Sequence, residues 1–459
     1  MIRSFRYPLH PTQSQAASLT LLLGACCDLY NGAVQERRDA WTWRKTQALC
    51  RGLVSLPRGK TAKPRKVTKV VKAKVAPKVD AKAAKPVKPK SLWLAAVGKA
   101  ARKVGGADTT YVSQCRALTE IRATVPGWSD VPCNIARSAL DRADKSFVAF
   151  FRRFAAGEKP GYPRFKAKRR CDSFSIGSSA AASHARGTLI RDGRVNIPRL
   201  GYVRFNQYRP IPVGARVLDV IVRREAGKWY VIFQCDVGAA PARVDLATVT
   251  DERIVGIDVG LTTLATLSTG EPIANPRHGK TAAKRVAAEQ RSLARKQRGS
   301  KSRRRAIVTL QRCHAHVRNQ RLDTARKAAA VLVSRYDVIC FEDLSIGRMV
   351  HGNLAKSIYD AAWGLLIAAT TCKAESAGKY VVATDPRGTT IECSRCGTAV
   401  PKRLDERTHK CPTCGLTIGR DVNAAHNIRE RGRRSLGLLA TQGVTDEDST
   451  EASQQTGRC

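Results

Sequence analysis

A chain of 459 residues is longer than one ordinary domain, and a 43% apolar content is enough to build real cores. Against 37 Asp and Glu stand 82 Lys and Arg, giving a formal charge of +45 and a pI near 10.4, an excess that calls for a polyanionic partner. No apolar run approaches the roughly 18 to 20 residues of a membrane span, and the basic start lacks the apolar core of a signal peptide.

With no lipidation motif or long amphipathic anchor, the expected partner is nucleic acid rather than a membrane, and the chain reads as soluble and intracellular. Of fifteen cysteines, an odd count, only four form a tight pattern. The scattered remainder read as small buried hydrophobes in a reducing compartment.

Along the chain, the stretch to about Pro11 alternates like an edge strand. Residues 12–45 read as helix, with Thr12 and Gln15 spaced as a capping box and Leu19, Leu22, Leu23 and Cys26 as its buried stripe. Residues 57–90 are a Lys/Ala/Pro/Val tract whose only acid is Asp80. Such a segment is expected to be disordered when free, either as a solvated linker or as an arm that binds phosphates. Helix resumes at Ser91–Val104 and again from Asn134, where Ile135, Ala139, Ala143, Phe147, Phe150 and Phe154 share one face before Gly157.

"KPGYPRFKAKRR" interleaves Tyr162 and Phe165 with Arg164, Lys166 and Lys168, a pattern suited to base stacking with phosphate contact and otherwise a solvated basic loop. An Asp192-Gly193 hairpin signal follows, then two alternating strands around a turn at Glu225–Gly227, so residues 160–238 predict a small antiparallel barrel or sheet.

From Arg253 the pattern becomes α/β. "RIVGIDVGLTTLATLS" predicts a buried strand, a glycine turn and a second strand. A very basic helical region spans 281–334 with a break near "RGSKS", and it offers Arg303, Arg304, Arg305, Arg318 and Arg321 to a polyanion. "DVICFEDL" predicts a short buried strand, 357–376 a helix with Trp363 and Leu366 inward, and "KYVVATD" another strand.

Cys393 and Cys396, then Cys411 and Cys414, form two CxxC knuckles, each followed by glycine and separated by a charged hairpin. The spacing fits tetrahedral coordination of one structural Zn²⁺ by four thiolates, with no open position for chemistry. Asp258 and Glu342 each close an apolar strand, Asp343 follows directly, and Asp421 opens a helix just past the second knuckle. Singly, each is an ordinary cap or turn residue. Together they fit the way an RNase H-like sheet gathers oxygen ligands around two Mg²⁺ ions roughly 4 Å apart to hydrolyse a phosphodiester.

"GIDVGLTTLATLS", "VICFEDL", "TTIECSRCG", "CPTCG" and "RDVNAAHNI", in that order, resemble the RuvC-type nuclease of the TnpB (OrfB zinc-ribbon) proteins of insertion sequences, relatives of compact type V CRISPR effectors. "YPLHPTQSQ" and "KPGYPRFKAK" extend the resemblance, which is dense over about 253–430. It implies a multidomain α+β protein: a wedge-like β-barrel (1–11 and 158–247) and a helical recognition domain (12–157). It further implies a RuvC nuclease (248–388 and 417–432) with an inserted zinc ribbon (389–416), while 433–459 reads as a frayed tail. It also implies an RNA-guided DNA endonuclease, cytoplasmic and associated with a prokaryotic nucleoid. Such a protein works with guide RNA, double-stranded DNA target, two Mg²⁺ and one Zn²⁺, as a monomer or a homodimer on the RNA. Asp258, Glu342 and Asp421 take the catalytic roles, and Arg420 and Asn423 also match. The family pattern has an acid where this chain has Gly419. Three rivals share parts of this reading: a CRISPR effector using a crRNA, a binder that represses without cutting, and a strand-transferring transposase. The intact acids oppose the second, and the absence of another nuclease motif opposes the third.

Overall fold

A computed structural model describes residues 1–50 (from 41 onward the backbone alone), 109–177, 183–403 and 405–438. The tract 57–90, the helix expected at Ser91–Val104 and the tail beyond 438 lie outside the described residues. Two units emerge, Met1–Gly238 and Ala239–Cys459.

The first unit is built on a seven-stranded antiparallel sheet. Its strands are β1 (Ile2–His10), β2 (Ser173–Ser175), β3 (Ile190–Arg191), β4 (Arg194–Ile197), β5 (Gly201–Phe205), β6 (Arg216–Glu225) and β7 (Lys228–Asp236), ordered β2-β6-β7-β1-β5-β4-β3. The alternation in β1 is real, with Phe5, Tyr7 and Leu9 buried, but the strand is not at an edge. It pairs Ile2–Leu9 with β7 on one side and Leu9–His10 with β5 on the other. Non-local pairing of this kind leaves no mark in a single strand's sequence. The Asp192-Gly193 and Ala226-Gly227 turns both take positive φ at both residues, as two-residue hairpins require.

Helix α1 (Gln13–Cys50) starts with the reciprocal bonds of a capping box: Gln15 N donates to Thr12 Oγ1 at 3.3 Å, and Thr12 N to Gln15 Oε1 at 3.1 Å. Its segment Gln13–Ala40 reaches span length at a mean hydropathy of 1.3, a correction to the sequence expectation that no run comes close. Leu19, Leu23, Cys27 and Val34 are buried in the unit's own core, so that apolarity serves packing. Helix α2 (Tyr111–Thr124), capped by Thr110, was not foreseen. In α3 (Cys133–Ala155) the stripe Ile135, Ala139, Ala143 and Phe147 is buried, whereas Phe154, expected on the same face, is 67% exposed. The periodicity continues beyond the point where α3 has a core to cover.

The second unit carries a mixed five-stranded sheet, order β10-β9-β8-β11-β12. Its strands are β8 (Ile254–Val259), β9 (Thr263–Leu267), β10 (Pro272–Ala274), β11 (Val338–Glu342) and β12 (Tyr380–Thr384). β8, β11 and β12 run parallel, while β9 turns back antiparallel on β8. Helices α4 (His278–Ala294) and α5 (Lys301–Arg335) flank the foreseen break. The single helix expected over 357–376 is instead two, α6 (Ala355–Ala361) and α7 (Trp363–Glu375), split where Ala362 takes φ 56°. Strands β13 (Thr408–Lys410) and β14 (Thr417–Gly419) form a small hairpin that runs directly into helix α8 (Arg420–Ser435), which extends beyond the expected start of the frayed tail at 433.

Strand alternation divides the sheet residues between two faces. Val255, Ile257, Ile339 and Phe341 pack on one with Leu332 and Val333 of α5 and Trp363 and Leu366 of α7. Ile254, Val338 and Cys340 lie on the other with Ile428 of α8. By the same two-residue period, Gly256, Asp258 and Glu342 belong to the α8 face. Helix α8 lies so close that a Cβ on Gly256 would fall 2.0 Å from the Ala425 carbonyl oxygen, and one on Gly432 would fall 2.1 Å from Cys340 Sγ.

Candidate active site and cysteine cluster

Two apolar strands that end side by side on the α8 face deliver Asp258 and Glu342 to one sheet edge, and the first turn of α8 brings Asp421 to them. Burial pushes the Asp258 carboxyl up to about 8, and the charges of Glu342 and Asp421 push in the same direction while Arg420 pulls back. Burial also raises Glu342, opposed by a hydrogen bond from Thr389 and by the Arg431 charge. Carboxylates from two other elements therefore repel that of Asp258 in a half-buried site. Hard oxygen donors carrying excess negative charge are the donor set that Mg²⁺ takes. Asp343 is exposed, and its charge is not among those acting on Asp258.

The four knuckle cysteines meet with all their sulfurs within 4.8 Å of one another. Cys393 Sγ lies 3.6 Å from Cys414 Sγ and Cys396 Sγ 3.5 Å from Cys411 Sγ, far beyond a disulfide bond. A tetrahedron of sulfurs about 2.3 Å from a central zinc has edges of about 3.8 Å, so the thiols fit that ion. Both knuckles use one backbone design: Cys393 N donates to Thr398 O and Gly397 N to Cys393 O, just as Cys411 N donates to Leu416 O and Gly415 N to Cys411 O. Gly397 and Gly415 take φ 75° and 71°, a left-handed turn that a side chain would strain.

Helix α8 is tied to the root of the first knuckle by residues the sequence reading did not single out for this role. Asn423, fully buried, accepts from Ser394 N at 2.9 Å and donates to Glu392 O at 2.7 Å. Asn427, one turn on, donates to Thr389 O and to Glu392 O, both at 2.8 Å. Arg431, a further turn on, donates to the carbonyls of Asp385 and Arg387 and to Glu392 Oε2. The i, i+4, i+8 spacing of Asn423, Asn427 and Arg431 was visible as a polar stripe. Thr389, whose hydroxyl donates to Glu342 Oε1 at 2.5 Å, opens the motif "TTIECSRCG", but nothing in that motif points to Glu342.

The nucleic-acid candidates sort differently. Tyr162 is half-buried with its ring 5.5 Å from Phe147 and 5.4 Å from Phe150, a core position. Phe165 is 44% exposed, with the Arg38 guanidinium 5.0 Å from its ring. Lys166 sits with Nζ over the Tyr30 ring, and Lys168 pairs with Asp28 at 2.6 Å. Arg164, Arg304 and Arg305 are exposed and Arg318 is half-exposed. Arg303 donates to the Leu293 and Lys296 carbonyls at the end of α4. Arg321 pairs with Asp360, whose carboxylate also accepts from Gly279 N and Lys280 N at the start of α4. Arg420 donates to Arg403 O at 2.9 Å.

Residues 237–352 match a family model described as a probable transposase, 363–428 one described as a Cas12f1-like TNB domain, and 1–46 one described as a helix-turn-helix domain. In this chain residues 1–46 hold β1 and most of α1, a strand and one helix. A putative RNA-guided DNA endonuclease of Streptomyces pristinaespiralis is 29% identical, over 94% of this chain and 89% of its own length. The putative RNA-guided DNA endonuclease InsQ of Escherichia coli K12 is 28% identical, over 68% of this chain and 78% of its own length. Among solved structures, a Cas12f1–sgRNA–target DNA complex aligns over 94% of this chain and 99% of the other at 14% identity, with a TM-score of 0.30.

Proposed function

Since the chain belongs to the TnpB (OrfB) family of insertion-sequence proteins, we propose that it is an RNA-guided DNA endonuclease of the RuvC type. The observation that carries the reading is that Asp258 is buried with Glu342 and Asp421 beside it; burial first, and then those two charges, make it hard to ionise without a cation. These three residues would hold two Mg²⁺ ions, which when bound supply activation of water and stabilisation of the leaving oxygen in phosphodiester hydrolysis. The strand ends of β8 and β11 fix two of the acids, the α8 first turn fixes the third, and Arg420 offsets part of their charge. Cys393, Cys396, Cys411 and Cys414 would hold a structural zinc, so that the chain leaves β12, folds the knuckles and returns through β14 with Asp421 in place.

Sequence choice belongs to guide RNA paired with the target strand, with the protein reading a short flanking motif in the duplex. The chain's charge of +45 supports binding of both nucleic acids. In this reading residues 1–11 and 158–247 act as wedge and 12–157 as recognition domain, in the cytoplasm of a prokaryotic cell beside its DNA.

The test is to purify the full chain with its nucleic acid, sequence the RNA, measure zinc, and add Mg²⁺ with a plasmid library randomised beside the target. One discrete RNA, about one zinc per chain and cleavage that Asp421→Ala abolishes are expected. Binding without cleavage in the unaltered protein would favour the repressor reading, and cleavage undiminished by Asp421→Ala would refute the assigned site.

A further inference from the structure

Thr389 opens the "TTIECSRCG" stretch of the family resemblance, which by itself assigns it no role; it lies five residues past the end of β12 and four before the first knuckle cysteine. It is 1% exposed. Its hydroxyl is 2.5 Å from Glu342 Oε1 and 3.1 Å from Pro386 O, and one proton serves only one acceptor, so the shorter contact takes it. Its main chain is held as firmly, because the carbonyl accepts from Asn427 Nδ2 at 2.8 Å. The loop around it is fastened to α8 again at Asp385 and Arg387 by Arg431 and at Glu392 by Asn423.

Glu342 has three side-chain torsions, and at the end of a strand nothing in the backbone selects among them. A donor on Oε1 selects one, and it leaves Oε2 and the second lone pair of Oε1 to face a cation. Carboxylates that ligate metals are commonly oriented by such a donor, and losing it costs about ten- to a hundredfold in metal affinity or activity. A hydroxyl that merely satisfied itself would have done so at Pro386, through the local turn. We propose that Thr389 is a positioning residue for Glu342, orienting its carboxylate for the metal site, and that Asn427 holds Thr389 in that place. This rests on the two-metal reading given above.

The full chain with its co-purified RNA is loaded with Fe²⁺ in place of Mg²⁺ and treated with ascorbate and hydrogen peroxide, so that the polypeptide is cut beside the bound ion. Unaltered protein is expected to yield fragments ending near residues 258, 342 and 421. Thr389→Val, similar in shape but without a donor, is expected to need about ten- to a hundredfold more Fe²⁺ for the same cutting, and correspondingly more Mg²⁺ for DNA cleavage. Thr389→Ser restores the donor and is expected to stay within a fewfold of the unaltered protein. Fragments from Thr389→Val at the original Fe²⁺ concentration overturn the proposal whatever its cleavage rate. So does an equal loss in Thr389→Ser, which would make the methyl group's packing the cause. If the unaltered protein gives no fragments there, or gives them equally with Asp258→Asn, the two-metal reading itself falls and the proposal with it.

Discussion

Gly419 occupies the N-cap of α8 with φ −59° and ψ 137°, a conformation open to any residue, and it provides no side-chain cap. The family resemblance puts an acid at this position, so its absence raises the question of whether the site is impaired. A Cβ here would lie 3.5 Å from Val422 Cγ2, an ordinary contact, so an aspartate fits. As an N-cap it gains only a few tenths of a kcal/mol over glycine, and its charge at the helix start adds about 0.3–1 kcal/mol. Against that stands repulsion from the Asp421, Asp258 and Glu342 carboxylates. The expected outcome for Gly419→Asp is therefore a stability change under about 1 kcal/mol and a cleavage rate within about fivefold of the unaltered protein, read by thermal unfolding and initial rates. A gain of tenfold or more would show that the missing acid limits the reaction. The letter G in the sequence says nothing of φ, so whether this glycine served a strained backbone became readable only from the structure.

The placement of α8 depends on how near it can come to the sheet, and Gly256 sets that distance. A methyl group there meets the Ala425 carbonyl oxygen at 2.0 Å and Arg429 N at 2.5 Å, both backbone atoms that cannot swing aside. Gly256→Ala is expected to cost about 3 kcal/mol or more, at the top of the overpacking range, and to cut DNA poorly because Asp421 moves with the helix. Gly347→Ala, with nothing within 4 Å of its added methyl, serves as the neutral control. Equal melting temperatures for the two variants would refute the close-approach argument. At this scale the sequence was most legible where a pattern was local. The capping box at Thr12, the hairpins at Asp192 and Ala226 and the break between α4 and α5 needed no distant partner to be read. The acids Asp258 and Glu342 were legible singly, as the ends of apolar strands, but their shared face follows from the parallel register that sets Ile257 beside Phe341, which neither strand's sequence carries. The central position of β1, the split at Ala362 and the exposure of Phe154 were not legible, because each depends on what lies opposite. Thr389 is the extreme case: its partner Glu342 is 47 residues away, and although both lie in motifs of the family resemblance, neither motif specifies the contact.

Across the whole chain, +45 of net charge does not make every arginine a nucleic-acid contact. Helix α5 carries one acid, Asp323, in its 35 residues, yet its basic side chains are used in two ways. Arg305 is exposed, whereas Arg321 is drawn to Asp360 at 2.9 Å, and that carboxylate also anchors the start of α4. Phosphate contacts release counterions, so binding to non-specific duplex DNA should weaken as a power of salt concentration, with an exponent of about 0.9 per phosphate neutralised. Six to ten such contacts correspond to a loss of about 10³–10⁵ in affinity between 50 and 200 mM salt. Measured by fluorescence anisotropy across a KCl series, Arg305→Ala is expected to lower that exponent by about one with an unchanged melting temperature. Arg321→Ala is expected to do the reverse, lowering the melting temperature because Asp360 loses its partner while the exponent stays as it was. The two substitutions remove the same formal charge from the same helix. A common change in exponent would therefore mean that bulk charge alone governs binding, and separate outcomes would mean that placement does.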